Sequence, residues 1–345
     1  MRKLCLFLLL SFSMALTVHA QDPYFSQPFA SPLTLNPALT GKINGSWRLI
    51  ANYRDQWPTI PKAYVTTAAS FDLPVLKKYI PEGDLFGVGF SGLADATSNN
   101  SFKQNYISAS LSYHKKLDEN GYYSLGAGFQ GTYVSTNLNT ASLVFEDQLT
   151  SEGFGTSTTG EYLGSSPITG KGSYYDLNAG VLLSGTTNGN NTFCLGYSLY
   201  HINSPDWGLR SDNTLYGSWK IGKRSSIHGN ANIALGDRTG INVNFVHQTQ
   251  YKSKNTILGG AFIIRANDDV DNPTNVMLGA WTRINDALIP YCGLDFRGLK
   301  LAFTYDKNFS DVKTATGGNG GYEVSLIYTK RSNRDDYYGT DKLIF

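Results

Sequence analysis

Charge is scarce in this chain. Asp, Glu, Lys and Arg make up 16% of its 345 residues, against roughly a quarter in ordinary soluble domains. The two signs nearly cancel, with 29 basic and 27 acidic residues, so no basic field exists to attract nucleic acid. A disordered tail is also excluded, because such segments are charge-rich and aromatic-poor. Long apolar runs are missing beyond residue 20. The longest, Ile257 to Ile264, is far short of the roughly 18 residues a membrane helix needs. If the protein enters a membrane, it must do so as a closed barrel, the other structure that pairs all its backbone groups.

The single long apolar run is at the start. Arg2 and Lys3 precede Leu4 to Leu10, the run continues through Val18, and Val18-His19-Ala20 fits a small-residue cleavage site. Residues 1–20 therefore read as a secretory signal peptide rather than an anchor. Its removal takes away two basic residues and leaves 27 against 27, a neutral mature chain. Only three cysteines occur. Cys5 lies inside the apolar run, unlike a lipoprotein cysteine. Cys194 and Cys292 fall within predicted strands, where free thiols fit as well as a bridge.

Glycine (36) and aromatics are abundant, the latter led by 22 tyrosines. Their arrangement has a period of two. Tyr123, Leu125, Ala127, Phe129 and Tyr133 alternate with Ser124, Gly126, Gly128, Gln130 and Thr132. Ile107, Ala109, Leu111 and Tyr113 alternate with Ser108, Ser110, Ser112 and His114. Tyr322, Val324, Leu326 and Tyr328 alternate with Glu323, Ser325, Ile327 and Thr329. Successive strand side chains point to opposite faces, so each segment has one apolar and one polar or small face. A soluble sandwich also alternates, but these segments run to about 10–14 residues, longer than the usual five or six. Tyrosines recur near segment ends, as in the aromatic girdles of membrane barrels. The fold predicted is all-β, a transmembrane antiparallel outer-membrane β-barrel of about 14 strands.

By pattern alone about fifteen segments can be drawn between residues 46 and 330, whereas bacterial single-chain barrels normally have an even number. With both chain ends in the periplasm, the long connections 139–170 and 308–320 lie outside only if one segment is miscounted, and the weak stretch is 212–236. Residues 21–45, interrupted by Pro23, Pro28, Pro32 and Pro37, suit no regular strand and fit either a lumen plug or a rim segment. The barrel spans 46–330, and 331–345 is a charged tail ending Leu-Ile-Phe.

Chemistry-bearing motifs are few. The histidines His114, His201, His228 and His247 are scattered and lack zinc spacing. No phosphate loop or nucleophile elbow occurs. The oxygen-rich stretch Asn267 to Asn272 lacks the glycine and closing glutamate of a calcium loop and reads as a solvated turn. A membrane hydrolase would require a serine beside His114 or His201 in space. The reading is therefore a non-enzyme with no cofactor and no metal. Arg283, Asp306 and Glu323 lie on polar faces, where charge needs a wet or paired interior. They form either a stiffening network or a binding surface.

One block is more specific. Gln21-Asp22-Pro23-Tyr24-Phe25-Ser26-Gln27 is followed by Leu35-Asn36-Pro37-Ala38, Gly41, Asn52-Tyr53-Arg54-Asp55-Gln56-Trp57-Pro58 and Ser70-Phe71-Asp72. Later come His201-Ile202-Asn203-Ser204-Pro205, Leu278-Gly279-Ala280-Trp281-Thr282-Arg283, Asp286-Ala287, Tyr305-Asp306, Ser310 and Tyr322-Glu323. In order and extent this resembles the PorP/SprF family of type IX secretion system membrane proteins. The chain departs from the family's frequent Cys-Pro-Arg-Phe-like ending. The resemblance implies an outer-membrane barrel that supports export or surface attachment of a secreted adhesin through its C-terminal secretion domain, in some members for gliding motility. Implied partners are that adhesin, other type IX components and outer-membrane lipid, without nucleic acid. Arg54, Gln56 and Trp57 are the candidates for positioning a partner, or for fixing the first strand's turn. The alternative function is a passive outer-membrane channel or transporter for small molecules.

Overall fold

The computed structural model describes residues 22–331 apart from 61–62, 98–99, 140–148, 151–152, 155–161, 164–165, 168, 188–190, 209, 212–213, 216–218 and 268–272. The expected signal peptide, most of the tail, most of the 139–170 connection and the Asp-rich part of the 267–272 turn lie outside the described residues.

Fourteen long strands form one antiparallel sheet: β1 (Trp47–Gln56), β2 (Tyr64–Val75), β3 (Leu85–Thr97), β4 (Phe102–Lys116) and β5 (Tyr123–Asn139). They continue as β6 (Thr169–Thr186), β7 (Thr192–Tyr200), β8 (Arg224–Ala234), β9 (Thr239–Gln250) and β10 (Ser253–Arg265). The last four are β11 (Thr274–Arg283), β12 (Ala287–Phe296), β13 (Leu299–Asn308) and β14 (Asn319–Lys330). Each pairs with its sequence neighbour. β1 also pairs with β14, from Trp47 opposite Lys330 to Gln56 opposite Gly321, and so closes the sheet into a barrel without edges.

Among the described residues of the fifteenth sequence segment no long barrel strand forms. In the connection between β7 and β8 the described residues make two-residue bridges, such as Asp206–Trp207 with Trp219–Lys220. Alternation there is too short to line two faces, and the Trp207 and Trp219 rings pack on each other at 5.2 Å instead.

The barrel is inside-out relative to a soluble protein. Phe129 and Ile107 on the outer face are 69% and 67% exposed, whereas Ser226 and Thr304 on the inner face are 0% exposed. Apolar rings facing outward suit lipid, which needs no hydrogen bonds. Aromatic pairs mark both borders of the band: Tyr53 with Tyr322 and Tyr133 with Tyr175 towards one end, Trp47 with Tyr328 and Tyr123 with Phe193 towards the other. Cys194 is buried on β7, Cys292 is exposed on β12, and both thiols are free.

The connections at the two ends differ in length. At one end lie 57–63, 98–101, 140–168, 201–223, 251–252, 284–286 and 309–318; at the other lie 76–84, 117–122, 187–191, 235–238, 266–273 and 297–298. Long loops face outward in bacterial barrels, so the first group marks the outer mouth. β1 begins and β14 ends at the short-turn end, as expected of a periplasmic rim.

Of the two paths open to residues 22–45, plug or rim, the described residues run inside the barrel along its length. Three short turns build the segment: Pro28–Ala30, Pro32–Leu35 and Pro37–Leu39. Each starts with proline at its first position, where the missing N–H costs nothing and the fixed φ fits. Asn36 is extended, as residues before proline prefer, and its Oδ1 caps the next turn by accepting from Ala38 N at 2.8 Å. Asp22 touches His201 and Gln250 at the outer mouth, and Gly41 N donates to Asp72 near the opposite rim. The wall makes room with glycine. A Cβ on Gly128 would lie 2.4 Å from Ala38 N, and one on Gly87 2.2 Å from Thr40 O.

This threading predicts sidedness. With Cys194 and Cys292 replaced by alanine, a membrane-impermeant maleimide labels Pro23→Cys on whole cells. It labels Ser46→Cys only after the outer membrane is permeabilised. The opposite pattern refutes the direction.

Candidate functional site

Four of the six residues singled out in the sequence meet inside the outer mouth. Alternation on β1 turns Arg54 inward, and the same parity on β11, β13 and β14 turns Arg283, Asp306 and Glu323 towards it. Closure of β14 on β1 brings these distant positions together. Arg54 Nη2 donates to Asp306 at 3.0 Å and its Nη1 to Glu323 at 3.4 Å. Arg283 Nη2 donates to Asp306 at 2.8 Å and its Nη1 to Asp286 at 2.8 Å. Each member is at most 5% exposed, apart from the half-buried Asp286. In so dry a setting an unpaired charge is costly, so the mutual pairing is what permits all four.

The network holds the N-terminal segment at Ser26 and Gln27. Ser26 Oγ donates to Asp306 at 2.7 Å and accepts from Arg283 at 2.7 Å, and Arg54 Nη1 also points at it. Glu323 accepts the backbone N–H of Ser26 at 2.7 Å and of Gln27 at 3.2 Å. The Gln27 amide donates to Thr304 at 3.2 Å and accepts from Ser325 at 2.9 Å. The Tyr24 ring lies under both guanidinium groups, 5.4 Å from Arg54 and 5.1 Å from Arg283.

Gln56 and Trp57 do not join this cluster. Gln56 ends β1 half-buried at the mouth. Trp57 occupies the left-handed region at φ 58, donates its N–H to Gly320 O at 3.0 Å and packs edge-on against Tyr64 at 5.4 Å.

A second clasp was not evident in the sequence. Asp22 accepts from His201 Nε2 at 2.7 Å, with Arg224 Nε at 3.4 Å, while His201 Nδ1 lies 3.0 Å from Asp176. Arg224 also stacks over the Tyr200 ring at 4.1 Å. Burial alone would lower the His201 pKa, but the carboxylates of Asp22 and Asp176 raise it to about 9. Burial likewise opposes ionisation of Asp22, yet His201 and Arg224 outweigh it and hold the carboxyl well below the usual range.

Further along, the wall addresses the segment's backbone. Asn52 donates to Ala30 O at 3.0 Å, Gln130 to Leu33 O at 3.0 Å, Arg224 to Thr34 O at 3.2 Å and Ser198 to Leu35 O at 2.7 Å. His114 Nε2 meets Ala38 O at 2.8 Å, and since a carbonyl only accepts, this nitrogen carries the proton. Ser112 donates to Thr40 O at 2.6 Å. Apolar contacts lock the same path: Phe29 against Trp281 at 5.0 Å, and Leu35, Ala38 and Leu39 against Leu182, Cys194 and Val246. Thus His114 and His201, weighed in the sequence as parts of a hydrolase, are engaged by the segment.

Residues 17–328 match the family model described as type IX secretion system membrane protein PorP/SprF. The chain belongs to the PorP/SprF family. No curated protein matches it. Among solved structures, the toluene transporter TodX of Pseudomonas putida is similar at 10% identity and TM-score 0.50, covering 90% of this chain and 98% of that one. A deltaS2 mutant of the TodX monoaromatic hydrocarbon channel gives 10% and 0.52, covering 88% and 94%. The chain spans 60% of the length of CdiB from Acinetobacter baumannii, with 83% of its own residues covered, 10% identity and TM-score 0.44. At such identities the TodX likeness speaks to fold alone. This PorP/SprF protein is accordingly an outer-membrane β-barrel of the type IX secretion system, a membership that implies other components of that system as partners.

Two outcomes test the clasps. Removing one partner of a buried pair costs about 3–5 kcal/mol, so Arg283→Met lowers the unfolding free energy of the lipid-reconstituted protein, read from urea titration, by that order. A loss below about 1 kcal/mol would deny the cluster a structural role. For the outer clasp, the folded pKa of His201 exceeds its ordinary 6.5. Its stabilisation is therefore complete below pH 6.5 and fades as pH rises through about 9. The Asp22 contribution is present above its ordinary 3.8 and is lost as pH falls through its lowered folded value. The NMR titration midpoint of His201 lies near 9 and moves towards 6.5 in Asp22→Asn. An unmoved midpoint would separate the two groups.

Proposed function

We propose that this protein supports export or surface attachment of a secreted adhesin by engaging the adhesin's C-terminal secretion domain at the outer membrane, with gliding motility as one setting for that task. The observation that carries the reading is the filled interior. Inward-facing residues from β1 to β14 are buried against the protein's own N-terminal segment, an arrangement suited to holding a macromolecule rather than to passing solutes. Membership in the secretion family supplies the pathway. The outer mouth offers the contact surface: Trp57, half-exposed on the β1–β2 turn, is a rigid aromatic anchor with one donor, beside Gln56. Arg54, buried beneath, acts through the Ser26 clasp and does not meet the client directly.

The likeness to the hydrocarbon channel TodX favours a second reading, a passive channel or transporter for small molecules. Planar-bilayer recording distinguishes the two: a client-holding barrel with a filled interior gives no steady unitary conductance, whereas a diffusion pore does.

Affinity purification from the native host in mild detergent, followed by mass spectrometry, should recover a large secreted protein. Trp57→Ala should reduce that recovery about tenfold, the loss of roughly 1.4 kcal/mol expected of one interfacial aromatic, without altering barrel stability. Deletion of the gene with every surface adhesin still secreted and attached would count decisively against the proposal.

A further inference from the structure

Beside the bonds to Asp22, Ser26, Gln27, Asn36 and Thr40 side chains, the wall addresses the N-terminal segment through its main chain, which every polypeptide carries. Asn52, Gln130, Ser198, His114, Ser112 and Arg224 all donate to its main-chain carbonyls. Donors spaced to meet the carbonyls of residues 30, 33–35, 38 and 40 recognise a polypeptide of short, proline-started turns as a class. Proline suits such a track because it leaves the carbonyl while removing a donor that the wall would have to satisfy.

The segment's own charge is also placed so that it can leave. At the inner cluster it contributes the neutral Ser26 and Gln27, while the wall's arginines are paired to the wall's own Asp306, Glu323 and Asp286. Withdrawal therefore strands no unpaired arginine there. At the outer clasp the segment supplies Asp22; when it leaves, Asp176 of the wall stays beside His201, and Arg224 gives up Asp22 and Thr34 O but keeps the Tyr200 ring. The described segment continues into the barrel through residue 45 at the short-turn end. It can slide out that way without unpairing a single strand.

We propose that the lumen is a polypeptide-binding channel, occupied in cis by residues 22–45 as a resident ligand and open to a second proline-punctuated polypeptide of the same turn-rich kind when that segment withdraws. The proposal rests on the client-holding reading only for the source of the second polypeptide. Its binding chemistry stands apart from any client.

The test uses the full-length protein in detergent, with Cys194 and Cys292 replaced by alanine, and a fluorescent synthetic peptide of residues 22–45 as the probe. Asp22→Asn with Ser26→Ala loosens both clasps. Thr40→Cys with Ser110→Cys, whose hydroxyls now lie 2.8 Å apart, locks the segment in place when oxidised. The loosened protein should bind the peptide at least tenfold more tightly than the parent. The oxidised lock should bind none, and reduction should restore parental binding. No binding to the loosened protein, or equal binding to locked and reduced forms, overturns the proposal. Should the loosened variant fail to fold, amide exchange in the unaltered protein decides. Faster exchange at residues 30–40 than in the central strands upholds withdrawal, and equal protection overturns it. Because no client enters these assays, their failure leaves adhesin attachment standing, and loss of adhesin attachment leaves the peptide result standing.

Discussion

A polar wall that faces inward must form hydrogen bonds with something, and in this barrel the partner is the chain's own N-terminal segment, residues 22–45. The constraint follows from the lipid outside. Leucine, phenylalanine and tyrosine are committed to the outer face, so the alternation puts serine, asparagine, histidine and charged residues within. A water-filled interior would satisfy them loosely. Here side-chain donors meeting main-chain carbonyls take the place of a soluble core, with Phe29 and three leucines as apolar pegs.

The charged cluster at the outer mouth depends on that filling. Two arginines and two inward carboxylates are accommodated in a dry place because each has an opposite partner, and Ser26 and the N–H groups of Ser26 and Gln27 add further hydrogen bonds to the carboxylates. Rigidity of the mouth is thus shared between wall and segment. The turn carrying Trp57 is fastened to the same region through Gly320, which links the geometry of the interior to the surface a partner would meet.

Much of the fold was legible because membrane strands carry a two-residue period on both faces. Strands β4, β5 and β14 could be read from single alternations, and the strand number followed once parity removed the 212–222 stretch. Sequence also showed that Arg283, Asp306 and Glu323 face inward. It could not show that they meet Arg54, since this depends on β14 closing onto β1 across 269 positions between Arg54 and Glu323. The path of residues 22–45 was less legible still, because an irregular chain has no period. The spacing of Pro28, Pro32 and Pro37 was the available signal for three consecutive turns. Asp22 and Ser26 were quoted only as parts of a family pattern, and His201 otherwise only as a scattered histidine, with nothing local to mark them as clasps.

The clasp at Ser26 has a consequence for biogenesis. Its acceptors Asp306 and Glu323 lie 280 and 297 positions later in the chain, on the last two strands to be made. Ser26 and its neighbours must therefore wait, unclasped, until the final strands arrive and the seam is sealed. Long-range contacts of this kind are the slowest to form. The order of synthesis runs opposite to the order of fastening, and engagement of Ser26 is a molecular signature that the barrel has finished closing.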